Sequence, residues 1–219
     1  MSSGQDARSV RTKAQLIEAA IAVFGAAGYD GASTRALAKE AGANLAAIPY
    51  HFGGKRELYL AAAQVIADYA RDRFAEVIEL LDGSAAADPG RCLGEALAHL
   101  LEIVVENAEP HSWTSFLARC VYENDEAYAL IHETAVAPLV DRLSLTAAML
   151  ADRDLDSEAI RLHISAIVTG IVSLRFLRGI LFRSMMWEKM SDHAILQMKD
   201  IIRTFVFQIS NNSQLISNN

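Results

Sequence analysis

The chain has 219 residues, 52% of them hydrophobic, with four prolines, two cysteines and a formal net charge of −7. This supplies enough apolar mass for one large or two small packed domains, and it excludes a disordered chain or a small disulfide scaffold. The charge is divided: residues 1–56 hold seven basic groups (Arg8, Arg11, Lys13, Arg35, Lys39, Lys55, Arg56) against four acidic ones (Asp6, Glu18, Asp30, Glu40), ahead of an acidic remainder.

The periodicity predicts helix almost throughout. A first helix is expected from about Thr12 to Ala27, with Leu16, Ala20, Val23, Phe24 and Ala27 on one face. Thr12-x-x-Gln15 offers a capping box and Gly28 a stop. The run STRALAKEAGANLAAIPYHFGGKREL from Ser33 to Leu58 then has the grammar of a helix-turn-helix. Ala38 is small where two helices cross, and Gly42 suits a reversal needing positive φ. Asn44 can cap the next helix, while Leu37, Ala41 and Ile48 point inward. The second helix of such a motif enters the DNA major groove. A basic head on an acidic body suits a polyanion at one end only.

A long fourth helix begins near Gly54 with Leu58, Ala62, Val65, Ile66 and Tyr69, and the segment 82–90 (DGSAAADPG) is a loop. A fifth helix carries Leu93, Ala96, Leu97, Leu100, Leu101 and Val104. After Pro110, Ser112 can cap a sixth with Trp113, Phe116, Leu117 and Cys120 inward. A seventh is expected from about Asp125 to Ala151, kinked at Pro138. The last two helices, from Ser157 and Ser191, carry stripes at steps of three and four: Ile160, Ile164, Ile167, Ile171, Leu174 and Arg178, then Ile195, Met198, Ile202 and Phe205. Such stripes pack either on their own core or across a two-fold axis; we expect a homodimer. A disordered tail is expected from Ser210.

Cys92 and Cys120 lie on apolar stripes and are expected to be reduced thiols. The N-terminal MSSGQDARSV lacks the apolar core of a signal peptide. Arg161, His163, Arg175 and Arg178 interrupt the most apolar stretch, so no membrane partner is expected, and the location is expected to be cytoplasmic. The histidines are scattered and form no catalytic or metal-binding motif, and no cofactor or enzymatic role is expected.

The run FGAAGYDGAST, followed by LAKEAG, by Tyr50-His51-Phe52 and by Lys55 and Leu58, resembles the TetR family of one-component transcriptional regulators. The form GANLAAIPYHFGGKRELY further resembles its CecR-type branch. The resemblance implies an all-α chain with a three-helix DNA-binding domain at 1–55 and a helical effector-binding and dimerisation domain at 56–209. It also implies a ligand-responsive dimer, acting as a repressor on a palindromic operator. An activator or dual regulator with the same head is a rival. Another is a helical small-molecule-binding protein that has lost DNA binding.

On that expectation, Ser33 and Thr34 offer hydroxyls to phosphate, while Arg11, Arg35 and Lys55 offer counter-charge. Asn44, Leu45, Ala46 and Ala47 face the groove with small or apolar side chains that permit close approach. Tyr50 and His51 are expected to contact DNA, and Phe52 to close the head's core. Pro49 stands where the family usually has a donor-bearing residue. It removes one intrahelical bond, at a cost on the order of 3 kcal/mol if it lies in a helix interior. A small-molecule effector of unknown identity is expected among Leu97, Leu100, Trp113, Phe116, Leu117, Cys120 and Ile171.

Overall fold

A computed structural model of the chain describes residues 2–85, 87–106, 109–150 and 157–216, with side chains omitted at 2–5, 84, 205 and 207–216. It contains helices α1 (Ser2–Gly31), α2 (Thr34–Glu40), α3 (Ala47–Phe52), α4 (Lys55–Ser84) and α5 (Pro89–Val105). These are followed by α6 (His111–Glu123), α7 (Glu126–Ile131), a π-helical turn (His132–Val136), α8 (Ala137–Ala148), α9 (Ser157–Met185) and α10 (Asp192–Ile216). No strand occurs among the described residues.

The chain forms two compact units, one of Met1–Ala70 with Ala108–Thr134, the other of Arg71–Asn107 with Ala135–Asn219. The division therefore differs from a boundary at residue 55. The first half of α4 belongs to the first unit, and so does the α6–α7 hairpin.

In the first unit, α1 starts well before Thr12, whose hydroxyl donates to the Arg8 carbonyl rather than capping a helix. The helix breaks at Gly28, which takes φ 74° and ψ 173°. Only glycine holds that conformation without strain. Just ahead of the break, the carbonyls of Gly25 and Ala26 accept from the Arg119 guanidinium of α6 at 3.0 and 2.9 Å. Arg119 also pairs with Glu123, one turn on. Gly25 lets α1 and α6 touch, because a Cβ there would stand 3.0 Å from Phe116 N and from Ser112 O. The core of this unit joins Leu16, Phe24, Leu37, Ile48, Leu58 and Phe116. Tyr29 and Tyr59 complete it: Tyr59 meets Phe24 edge-on at 4.8 Å and Phe116 at 5.3 Å. Such aromatic pairs add stability beyond their buried area.

In the second unit, α5 is buried along most of its length and is covered by α8, α9 and α10. Asp88 caps it by accepting from Arg91 N–H, with Pro89 in the first turn, where its missing donor costs nothing. The Arg203 guanidinium grips Glu95 with two bonds of 2.8 and 3.0 Å. At the other end of α5, Arg175 donates to the carbonyls of Val104 and Glu106. Those carbonyls end a helix and lack intrahelical donors, so this cation has a structural partner inside its own unit. Pro138 lies in the first turn of α8, directly after the π-helical turn. The kink expected at Pro138 thus takes the form of one wider turn, which absorbs the clash that a proline makes one turn back.

Part of the stripe expected to form the dimer interface packs within its own unit. Ile164 and Ile171 are only 3% and 5% exposed within the second unit's own core. Ile167, Leu174, Met198 and Ile202 pack against that core. Ile160, Arg178 and Ile195 are half-buried, and the side chain of Phe205 lies outside the described residues. The face of α9 that its own chain leaves open is a different one, through Leu162, Ala166, Gly170, Leu177 and Ile180. The helix α10 continues to Ile216, past the start of the expected tail, because no Gly or Pro stops it.

Candidate nucleic-acid interface

The turn between α2 and α3 is closed by backbone bonds that the sequence specifies locally. Ser33 caps α2, its hydroxyl accepting from Ala36 N–H at 3.1 Å. At the other end Gly42 takes φ 59°, Gly42 N–H donates to Lys39 O and Ala43 N–H donates to Ala38 O. That pair of bonds is the Schellman ending, in which a left-handed residue returns two donors to orphan carbonyls. Asn44 then accepts from Ala46 N–H at 2.9 Å through Oδ1, which closes the turn ahead of α3; the N-cap itself falls at Ala46 and has no side-chain bond, so the expected Asn44 cap is a turn contact instead.

Pro49 falls at the third position of α3, counting from Ala47. A first-turn residue has no intrahelical acceptor for its N–H, so proline removes little there. The Leu45 carbonyl it cannot reach takes Ile48 N–H instead, at 3.4 Å, as a tight i to i+3 turn. The helix-interior cost weighed from the sequence therefore does not apply.

Two sides of α3 differ sharply. Ile48 is 1% exposed, and Ala47 and Phe52 pack against the same core. Tyr50 is 82% exposed and Leu45 45%, with Asn44, Ala46 and Pro49 also open to solvent. The His51 ring stands edge-on to Tyr50 at 4.8 Å. Of the cations, Arg11, Arg35 and Lys39 are exposed, and the Lys55 ammonium sits 4.4 Å over the Tyr29 ring. Arg56 is held by Glu126 at 2.5 Å, so its charge is already compensated. Thr34 is half-buried at the start of α2.

The α6–α7 hairpin is tied to α4 by a buried polar cluster that sequence reasoning missed. Tyr59 donates to Asp125 at 2.5 Å and lies 3.3 Å from Cys120 Sγ. Asp125 also caps α7 by accepting from Tyr128 N–H. Burial, and then the bond to Asp125, push the Tyr59 hydroxyl well above its ordinary range. Burial also pushes the Cys120 thiol up to about 12, outweighing the opposing bond from Tyr59. Cys120 is therefore protonated and poorly nucleophilic in the folded chain. Tyr59→Phe leaves one Asp125 oxygen with its partner gone. It is expected to cost about 1–3 kcal/mol, read as a lower midpoint in denaturant unfolding. An unchanged midpoint would show that the hydroxyl contributes nothing.

The residues expected to line an effector site belong to the cores of both units. Trp113, Phe116, Leu117 and Cys120 belong to the first unit's core, whereas Leu97, Leu100 and Ile171 belong to the second's. Each stripe is the buried side of its own helix. His99 sits between Glu76 and Glu102 at 3.1 and 3.3 Å, and Glu102 is also engaged by Lys199. That lysine, ahead of the histidine, holds the Glu102 carboxyl below its ordinary range. Among the described residues no group of three or more His, Cys, Asp or Glu is placed to hold a metal ion.

Comparison with known proteins places these features among transcriptional regulators. Residues 16–62 match the bacterial regulatory proteins of the tetR family. Residues 90–210 match the C-terminal domain of the HTH-type transcriptional dual regulator CecR. The HTH-type transcriptional dual regulator CecR of Shigella flexneri is 33% identical over 171 residues, 75% of this chain and 76% of its own. A transcriptional regulator from Rhodococcus sp. Rha1 shares the fold with a TM-score of 0.61 at 21% identity, over 90% of this chain and 96% of its own. AibR, solved in complex with isovaleryl coenzyme A and operator DNA, gives 0.58 at 19% identity, over 89% and 97%.

Proposed function

The chain belongs to the TetR family of transcriptional regulators, in the branch that carries a CecR-type C-terminal domain, and from that premise we propose that it represses as a homodimer on a palindromic operator until a small-molecule effector releases it. The observation that carries the DNA-binding part is the division of α3: one side is locked into the core through Ile48, and the other is offered to solvent, in a motif whose α2 carries the exposed cations Arg35 and Lys39. A short helix held that rigidly loses little conformational entropy when it enters a groove. Thr34, Arg35, Lys55 and Arg11 act on phosphates and fix register, while α3 reads base edges. Tyr50 and His51 supply the polar part of that surface.

The open stripe of α9 supports the dimer. Only 17% of the most apolar window of this helix is buried within the chain, although the helix is long and apolar enough to cross a membrane. A second copy of α9 and α10 is the cover we favour. Small residues at Ala166 and Gly170 permit close approach, and a Cβ at Gly170 would meet nothing within 4 Å. The same reading places the protein in the cytoplasm and gives it no catalytic step. The effector acts by binding one conformation of the dimer more tightly than the other; equal affinity for both would shift nothing. The name of the Shigella relative, dual regulator, favours a second reading in which the same head also activates from other operator positions.

Arg35→Ala tests the phosphate role. Its binding to every duplex is expected to weaken, and the slope of log K against log salt to fall by about 0.9. Fluorescence anisotropy at 50–250 mM salt (roughly the range where such slopes are read) measures both. An unchanged slope removes Arg35 from the interface.

A further inference from the structure

Resting on the reading of α3 as the element that enters the groove, we propose that this protein selects its operator chiefly through the 5-methyl groups of thymines, contacted by Leu45, Ala46 and Pro49. The argument starts from what base edges offer. In the major groove they present hydrogen-bond donors and acceptors and, at thymine alone, an apolar methyl group. Strong polar readout takes a side chain able to make two bonds at once, such as Arg or Lys on guanine and Asn or Gln on adenine.

From the turn through α3, residues 44–52, the sequence holds one such side chain, Asn44. Its Oδ1 is already committed to Ala46 N–H at 2.9 Å. That bond fixes the orientation of the amide and leaves its oxygen one lone pair, so Asn44 is not free to turn both its acceptor and its donor edge to an adenine. The nearest cations stand on α2 and α4, and one of these, Lys55, is held over the Tyr29 ring. What remains open on the reading side is hydrocarbon. Leu45 is 45% exposed, Ala46 and Pro49 are exposed, and proline also lacks an N–H to offer. The Tyr50 hydroxyl and the half-buried His51 ring are the polar groups at the edge of this surface. An apolar patch of that size finds one apolar partner on a duplex edge, the thymine methyl. The exposed Arg35 and Lys39 of α2, in the same helix-turn-helix, favour a polyanion over another protein as the partner of this patch.

The test isolates that methyl. A duplex is first selected from a randomised pool with the full-length protein, then synthesised with thymine or with uracil throughout each half-site. Uracil keeps base pairing and every donor and acceptor and removes only the methyl. Affinity is expected to fall about fourfold per contacted thymine, the factor that corresponds to burying one such group. Several contacts together are expected to lower it more than tenfold. Leu45→Ala, an exposed site in a turn, is expected to bind the thymine duplex less well and to discriminate less between thymine and uracil. Equal affinity for the two duplexes, with the thymine duplex still bound in a salt-dependent way, overturns the methyl readout and leaves DNA binding standing. Failure to select any sequence overturns both.

Discussion

The double variant Leu177→Glu, Ile180→Glu is expected to sediment as a monomer and to lose operator affinity by about a hundredfold or more. The two residues are 53% and 63% exposed on the stripe of α9 that is left open among the described residues. Apolar patches of that kind on a soluble chain mark an interface. Across a two-fold axis each substitution appears twice, so four carboxylates meet in a contact built for hydrocarbon, and unpaired buried charge is among the costliest changes available. The folded monomer should survive, because neither side chain belongs to the core. Loss of DNA binding follows from valency. The second head of a dimer binds at an effective concentration set by its tether, which is worth roughly 10²–10⁴ in avidity. A dimer that persists in sedimentation would move the interface elsewhere. The contrast with Ile164→Glu is informative, since that side chain is buried within its own unit and its replacement should unfold rather than dissociate.

Gly25→Leu is expected to unfold the DNA-binding unit or to lower its midpoint steeply. Two effects oppose each other. Replacing a helical glycine improves helix propensity by about 1 kcal/mol. Against that, even the first added carbon would lie 3.0 Å from two backbone atoms of α6, and a leucine adds three more carbons beyond it. Backbone cannot rotate away as a flexible side chain can, so α6 must leave α1. Overpacking costs typically 1–3 kcal/mol where side chains can yield, and more where they cannot. The departure of α6 also takes Arg119 from the Gly25 and Ala26 carbonyls. Circular dichroism melts and operator binding should fall together. A stable, DNA-binding Gly25→Leu protein would mean that the α1–α6 contact is dispensable.

The helix-turn-helix was legible because its determinants are local. Gly42 at positive φ and the inward Ile48 each act within a few residues and are found as expected, while Asn44 closes the turn ahead of α3 rather than capping it. Local reasoning also separated Tyr50 from Phe52, since the two fall on different sides of a six-residue helix. What the sequence did not reveal is which surfaces meet at long range. A stripe such as Ile164–Ile167–Ile171 announces that something covers it, but it does not say whether the cover is the same chain or another. The stripe that stays open on α9 is interrupted by Ala166 and Gly170, so it reads weakly. The same limit applies to the expected effector residues. The stripes on α5 and α6 look alike in sequence, yet each is buried in a different unit. The cost first weighed for Pro49 depended on its position along α3, which only the location of the cap decides.

The central claim is sequence-specific binding of duplex DNA by two copies of the N-terminal unit, and footprinting of the purified full-length protein across fragmented genomic DNA tests it most directly. The account predicts discrete protected sites, each with two half-sites of inverted sequence, their centres about 10 base pairs or a multiple apart, and protection that weakens steeply as salt rises. Uniform weak coverage, with no protected site at protein concentrations below roughly 1 μM, where non-specific binding sets in, would contradict it.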